Sequence, residues 1–172
     1  MEKQQCPIEI ERKFLIRYPD TDMLCRQSGV RRMVITQTYL TAEKGITARV
    51  RKIEENGAVR YVSTEKKRIS ARSATEIEHD LSREQYESLL KNADATRNTI
   101  EKVRYAVPFG SHTAEIDLYP FWTDRAVLEI ELSSEDEACA LPGFVELIRE
   151  VTEDVRYKNV NLAVTVPNDS VD

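Results

Sequence analysis

Residues 8–16 read IEIERKFLI. Apolar and charged side chains alternate here: Ile8 and Ile10 fall on one side, Glu9 and Glu11 on the other, and Lys13 continues the charged side. A period of two is a β-strand signal, because residues i and i+2 of a strand point to the same face, roughly 6.6 Å apart. The pattern recurs along the chain. Five more segments carry two charges of one sign around an apolar residue: Arg49/Arg51 around Val50, Glu76/Glu78 around Ile77, Lys102/Arg104 around Val103, Glu115/Asp117 around Ile116 and Glu129/Glu131 around Ile130. Lys66 stands two residues after Thr64 in a further strand. For any single pair, the plain reading is a sheet with its apolar face on the core and its charges in water. Together the pairs ask for more, since like charges two apart repel unless opposite charges sit beside them. Acidic strands facing basic strands across a shared space would supply those partners.

Closing the sheet creates that space. In a barrel of about eight strands, alternate residues point inward and line a cavity. The inward set would then hold eight acids (Glu9, Glu11, Glu76, Glu78, Glu115, Asp117, Glu129, Glu131) against six bases (Lys13, Arg49, Arg51, Lys66, Lys102, Arg104), a net of −2. The outward set (Ile8, Ile10, Val50, Ile77, Val103, Ile116, Ile130) would pack under helices. Carboxylates bind hard cations such as Mg²⁺ or Mn²⁺, and arginine and lysine clamp phosphate oxygens. A cavity with both would hold a metal–polyphosphate complex by side chains alone, and its negative balance predicts that an anion enters only with its metal.

The rest of the composition narrows the class. The chain has 172 residues, the size of one domain, with 41% hydrophobic and 32% charged residues. Its formal charge of −5 argues against general nucleic-acid binding. No stretch approaches the ~20 apolar residues of a membrane span, and the opening MEKQQCPIEIERK lacks a signal peptide's apolar centre. Cys6, Cys25 and Cys139 are widely spaced, which predicts free thiols in a cytoplasmic protein and no zinc site. No G-x-x-x-x-G-K, G-x-G-x-x-G, G-x-S-x-G or H-E-x-x-H occurs, so glycine-loop nucleotide binding, serine hydrolysis and zincin chemistry fall away. His79 and His112 read as ordinary loop or solvated residues.

Period-2 patterning predicts strands near residues 7–17, 31–40, 45–54, 58–67, 74–80, 100–107, 112–119 and 126–133, with Asn56-Gly57 as a hairpin turn. Ser82 with Gln85 predicts a capped helix presenting Tyr86, Leu89, Leu90 and Ala93. Ser134 with Glu137 predicts another, broken by Pro142-Gly143, after which Phe144, Leu147, Ile148 and Val151 resume helical spacing. A short helix is expected within 20–28, and the tail from Pro167 is expected to fray. The fold class is therefore α+β, an eight-stranded antiparallel β-barrel with a polar interior flanked by a few α-helices. It forms a single domain over 1–172 with its core at about 8–166.

These residues resemble the CYTH superfamily of triphosphate tunnel metalloenzymes. Glu9, Glu11 and Lys13 match its E-x-E-x-K signature, and QTYL (37–40), ARVRK (48–52), TEK (64–66), EKVRY (101–105), EIDLY (115–119) and LEIEL (128–132) follow in order. The ending EVTEDVRYKNVNLA (150–163) is similar to that of the short bacterial branch, associated mainly with inorganic tripolyphosphate hydrolysis. The resemblance implies an eight-stranded tunnel that takes a small anionic triphosphate with Mg²⁺ or Mn²⁺. It implies phosphate contacts from Lys13, Arg49, Arg51, Lys66, Lys102 and Arg104, and metal contacts from Glu9, Glu11, Asp117, Glu129 and Glu131. Catalytic roles would fall to Glu9, Glu11, Lys13 and Tyr39. No nucleic-acid or membrane partner is implied, and the chain is expected as a monomer or homodimer.

One stretch departs from the family's R-x-E-x-E. Ala74 occupies the usual arginine position before Glu76/Glu78, while aligning on Arg72 keeps only Glu76; we take the Glu76/Glu78 register because Leu81-Ser82 then falls where the next helix starts. Tyr39 is either a packing residue or faces the tunnel. Lys13 helps deprotonate water if the site depresses its pKa. Arg156 and Lys158 either close the tunnel mouth or lie on the surface.

Two bound cations would neutralise phosphate oxygens and polarise the attacking water. Arg49, Arg51 and Arg104 would grip the non-reacting phosphates, with Lys66 and Lys102 offsetting the leaving group's charge. Glu9→Gln or Glu11→Gln should abolish turnover and leave the fold intact. The alternatives are a nucleoside or thiamine triphosphatase, an adenylyl cyclase, a non-catalytic polyphosphate or nucleotide sensor, and a barrel with no site. A cyclase needs a base pocket, for which Tyr61, Phe121 and Trp122 are the available aromatics.

Overall fold

The computed structural model describes residues 8–171. Cys6 lies outside the described residues; Cys25 and Cys139 are free thiols, as expected. The chain forms β1 (Ile8–Arg17), α1 (Thr21–Cys25), β2 (Arg31–Leu40), β3 (Ile46–Glu55), β4 (Ala58–Arg68), β5 (Ser73–Leu81), α2 (Arg83–Leu89), β6 (Ile100–Phe109), β7 (His112–Leu118), β8 (Arg125–Glu131), β9 (Leu147–Glu150) and α3 (Asn159–Leu162). Neighbouring strands run β5-β4-β3-β2-β6-β7-β8-β1, all antiparallel, and β1 pairs back to β5 through Ile8–Ile10, which closes an eight-stranded barrel. The Asn56-Gly57 turn forms as predicted, both residues at positive φ (50° and 79°), and brings Glu55 opposite Ala58.

Register decides which charges meet. Glu11 lies opposite Glu131 and Lys13 opposite Glu129. Lys66 lies opposite Glu76, and Arg104 opposite Asp117. Directly opposed residues share a face, so the charged pairs all turn into the barrel.

The apolar core sits mainly outside the barrel. Phe14, Ile16, Tyr105, Ile116, Leu128 and Ile130, from the outer faces of β1, β6, β7 and β8, pack with Leu24 of α1 and the segment carrying Cys139, Leu141, Phe144 and Val145. Each such side chain contributes roughly 1.5–3 kcal/mol when fully buried. The expected cover of helices is thus mostly an irregular segment, and two of the outward residues, Ile8 and Ile77, are exposed. A second cluster fills one end of the barrel, where inward-facing Leu15, Tyr39, Ile100 and Val127 meet Trp122, Tyr157 and Leu162.

The helix at Ser82 forms with its full capping box. The one expected at Ser134 does not. The Glu137 carboxylate instead accepts from the Ser133 backbone N–H (2.6 Å) and meets His112 Nε2 (2.7 Å). Pro142-Gly143 leaves too few residues to offset helix nucleation, so the segment's apolar residues are buried singly. Residues 147–150, also expected to be helical, form β9 and pair with Phe14–Ile16. Strand β5 reaches only Ile8–Ile10 on that edge of β1, and the remaining backbone groups need partners. The tail expected to fray is tied back, with Asp169 accepting from Arg149 (2.8 Å), Arg156 (2.9 Å) and the Tyr157 hydroxyl (3.0 Å). Among the described residues no helix is long and apolar enough to cross a membrane.

Candidate active site

The barrel encloses a cavity of about 440 Å³. Of the residues singled out in the sequence, Glu9, Glu11, Lys13, Tyr39, Arg49 and Arg51 line it, as do Lys66, Glu76, Glu78, Arg104, Glu115, Glu129, Glu131 and Lys158. Four do not. Arg72 lies in the turn before β5 and donates to the Glu135 carbonyl (3.0 Å). Arg156 is held at the surface by Asp154 (2.7 Å) and Asp169 (2.9 Å). Lys102 and Asp117 are buried in the wall and do not line the cavity. Ala74 is buried opposite Glu9, so the inward pair of β5 is Glu76/Glu78.

On the wall formed by β6, β7, β8 and β1, the cations Lys13, Lys102 and Arg104 sit in a closed charge network. Arg104 Nε and Nη2 donate to the two Asp117 oxygens (2.6 and 2.7 Å), Nη2 also reaches Glu129 (2.9 Å), and Nη1 contacts Glu115. Lys102 Nζ donates to Asp117 (2.6 Å) and Lys13 Nζ pairs with Glu129 (2.7 Å). Burial pushes the Asp117 and Glu129 carboxyls up, but Arg104 and Lys102 hold Asp117 low, and Lys13 and Arg104 hold Glu129 well below the usual range. Lys102 drops to about 8 because burial outweighs Asp117, whose charge it shares with Arg104. Lys13 moves up instead: Glu129 and Glu11 overcome burial and hold its ammonium charged. It is therefore a fixed positive charge, not the base that a depressed pKa would have made it. Arg104, expected to grip phosphate, lines the cavity with its guanidinium already committed to three carboxylates.

The opposite wall, β3 to β5, is open. Arg49 reaches Gln37 Oε1 (3.3 Å) and, more distantly, Glu76 (3.8 Å). Arg51 reaches Thr64 (3.2 Å) and contacts Glu78. Nε of both arginines is buried with no hydrogen-bond acceptor. Burial and the like charge of Arg49 lower Arg51 to about 10. Lys66 stands among three acids, touching Glu9 and lying 3.2 Å from Glu76 and 3.8 Å from Glu11. Burial raises Glu9 despite Lys66. Glu131, beside the cavity mouth, makes no hydrogen bond or ion pair among the described residues; burial and its neighbours Glu9, Glu115, Glu76 and Glu11 raise its pKa.

The acids suit a divalent cation in kind. All are hard carboxylate donors with no histidine or cysteine among them, and Glu11 and Glu131 face each other across β1 and β8. Among the described residues, no three acids converge closely enough to form a ready-made cluster. The aromatics considered for a base pocket lie elsewhere: Tyr61 packs at a tilt on Tyr86, and Phe121 packs on Tyr119 and Trp122.

Two inward residues escape a charge-based reading. Gln37 is fully buried and bonds both Arg49 and the Tyr39 hydroxyl (2.9 Å). Thr64 donates to Glu78 (2.9 Å). Both have the strand parity of cavity-lining residues, Tyr39 and Lys66, and that parity is the signal by which they are found.

A family model described as CYTH domain matches residues 7–165. The inorganic triphosphatase of Nitrosomonas europaea is 34% identical over 167 residues, covering 92% of this chain and 99% of that protein. A crystal structure described as that of an inorganic triphosphatase is 30% identical, with a TM-score of 0.56 over 92% of this chain and 96% of that one. A protein of Pyrococcus horikoshii shares the fold at 20% identity, with a TM-score of 0.54 over 74% of this chain and 80% of that one.

Proposed function

Because the chain belongs to the CYTH domain family, we propose that it is a metal-dependent triphosphatase that hydrolyses inorganic tripolyphosphate to pyrophosphate and phosphate, with Mg²⁺ or Mn²⁺. The observation that carries the proposal is the open wall. Two cavity-lining arginines, Arg49 and Arg51, keep buried Nε donors without acceptors. An unsatisfied buried donor costs about 1–3 kcal/mol, and a phosphate oxygen is the acceptor that relieves it. The likeness to an inorganic triphosphatase over nearly the whole of both chains supports the substrate class.

In this reading the whole chain acts as one domain, a cytoplasmic monomer or homodimer. Arg49 and Arg51 bind the phosphate oxygens, and Lys66 adds a charge that its three acids hold at the cavity face. Lys13 stays protonated and neutralises charge on the reacting end. Asp117, Glu129 and Glu115 fix Arg104, with Lys102 behind it on Asp117, so it contributes field more than direct grip. Glu9, Glu11 and Glu131 are the acids that would hold the cation, with Glu129 behind them. A cation held there would screen phosphate charge and favour attack by water. Tyr39 is neutral, since burial outweighs Arg49 and Lys13 and raises its pKa.

The test is phosphate release from tripolyphosphate, ATP, thiamine triphosphate and pyrophosphate, each with Mg²⁺, Mn²⁺ or EDTA, with cyclic AMP assayed on the ATP samples. Preference for tripolyphosphate is expected, together with its loss on Glu9→Gln in a protein that still melts cooperatively. Cyclic AMP formation, or preference for a nucleotide, would move the chain to a base-recognising function. Metal-dependent thermal stabilisation by tripolyphosphate without turnover would make it a sensor.

A further inference from the structure

Gln37 lies on β2 between two residues that face the cavity, and its amide has a fixed polarity. Arginine has no acceptor, so the amide atom turned to Arg49 Nη1 is Oε1 (3.3 Å). Nε2 must then face Tyr39, whose hydroxyl oxygen lies 2.9 Å away and accepts from it. A hydroxyl that accepts from Nε2 directs its own proton elsewhere, and the Tyr39 hydroxyl donates to no acceptor among the described residues. Tyr39 lines the cavity. Gln37 itself does not, and it is 0% exposed.

Building on the triphosphatase reading, we propose that Gln37 is a positioning residue that couples Arg49 to Tyr39 and fixes the Tyr39 hydroxyl as a hydrogen-bond donor to a phosphate oxygen of the bound triphosphate. The chain Arg49→Gln37→Tyr39 runs in one direction because its first member only donates. No proton is transferred along it. One buried amide thus sets both the placement of a phosphate-binding arginine and the polarity of the neighbouring phenol.

Gln37→Glu separates this role from packing. The substituted side chain has nearly the same size and still accepts from Arg49, but as a carboxylate it cannot donate. The Tyr39 proton then turns toward it and away from the cavity. With tripolyphosphate and Mg²⁺, kcat is expected to fall about tenfold, the equivalent of one hydrogen bond, with KM changed by no more than about twofold. On a Tyr39→Phe background the same substitution should cost nothing further. The tyrosine Fermi doublet in the Raman difference between Gln37→Glu and its Tyr39→Phe double variant should shift toward a strong donor, relative to the same difference taken in the wild type. If Gln37→Glu does not fold, Gln37→Met takes its place, with a larger loss expected on the wild-type background than on Tyr39→Phe, where only the contact to Arg49 remains to be lost. Equal losses on both backgrounds, or an unchanged doublet, overturn the proposal. Absence of turnover in the wild type overturns the triphosphatase reading instead, and the doublet still tests the direction of the hydroxyl.

Discussion

Arg104 on β6 and Arg51 on β3 both turn into the barrel, yet Arg104 is bound to three carboxylates while Arg51 keeps a buried Nε with no acceptor. The difference lies in register. Arg104 is directly opposite Asp117. Arg51 lies opposite Gln37 on one side and Val62 on the other, and Arg49 opposite Tyr39 and Thr64, all neutral. The cations of the first wall have their partners without a ligand. The second has cations whose full set of partners the protein does not supply. Burying a charge without satisfying it is unfavourable, and a site for an anion is what gives such an arrangement its use.

The comparison can be broken from its closed side. Asp117→Asn leaves Arg104 and Lys102 buried around a neutral amide and should cost roughly 3–5 kcal/mol of stability, read from the denaturant midpoint. A variant as stable as wild type would mean that the network is not what holds this wall.

The open side should respond in the opposite way. Arg51→Met removes a cation with an unsatisfied donor, so stability should stay within about 1 kcal/mol of wild type or rise. Tripolyphosphate turnover should fall at least about tenfold. A large loss of stability with full activity would reverse the roles assigned to the two walls.

Glu131→Gln sharpens the contrast among the acids. The Glu131 carboxyl is raised by burial and by its acidic neighbours. Between the ordinary carboxylate value and that raised value, the folded state holds a proton the unfolded chain has lost, so stability falls as pH rises through the window. The glutamine variant lacks this loss. At neutral pH it should be more stable by less than about 1 kcal/mol, because the group is partly exposed. The two proteins should converge below the window, as thermal melts across pH would reveal.

At Lys102 the effect falls outside the neutral range, in alkaline solution. Its folded-state value of about 8 lies below the ordinary 10.5. Between those values the unfolded chain binds a proton that the folded state has released, so this lysine makes stability rise with pH. Lys102→Met should flatten that rise in the same melts. An identical slope in both proteins would place Lys102 in a more polar setting.

Much of this was legible in the sequence. Period-2 alternation between turn residues set the strand boundaries to within a residue or two, and like charges at i and i+2 identified the inward face, because strand periodicity is local. Strand β9 was not legible: the spacing of Phe144, Leu147, Ile148 and Val151 is helical, and the unpaired edge of β1 that captures residues 147–150 belongs to the tertiary fold. Nor could spacing tell Arg104 from Arg51, since their difference lies in the strands opposite them. Lys102 and Asp117 have the parity of the predicted site residues, but the structure buries them in the wall, paired with each other. Gln37 carries no charge, so a reading built on charges passed over it.

The most direct measurement is the initial rate of phosphate release from tripolyphosphate by the purified wild-type protein, with Mg²⁺ and with EDTA, beside Arg51→Met under the same conditions. If the open wall is a triphosphate site, wild type releases phosphate with Mg²⁺ and not with EDTA, and Arg51→Met is strongly impaired. Equal rates for the two proteins, or no release by wild type with any divalent cation, would contradict it.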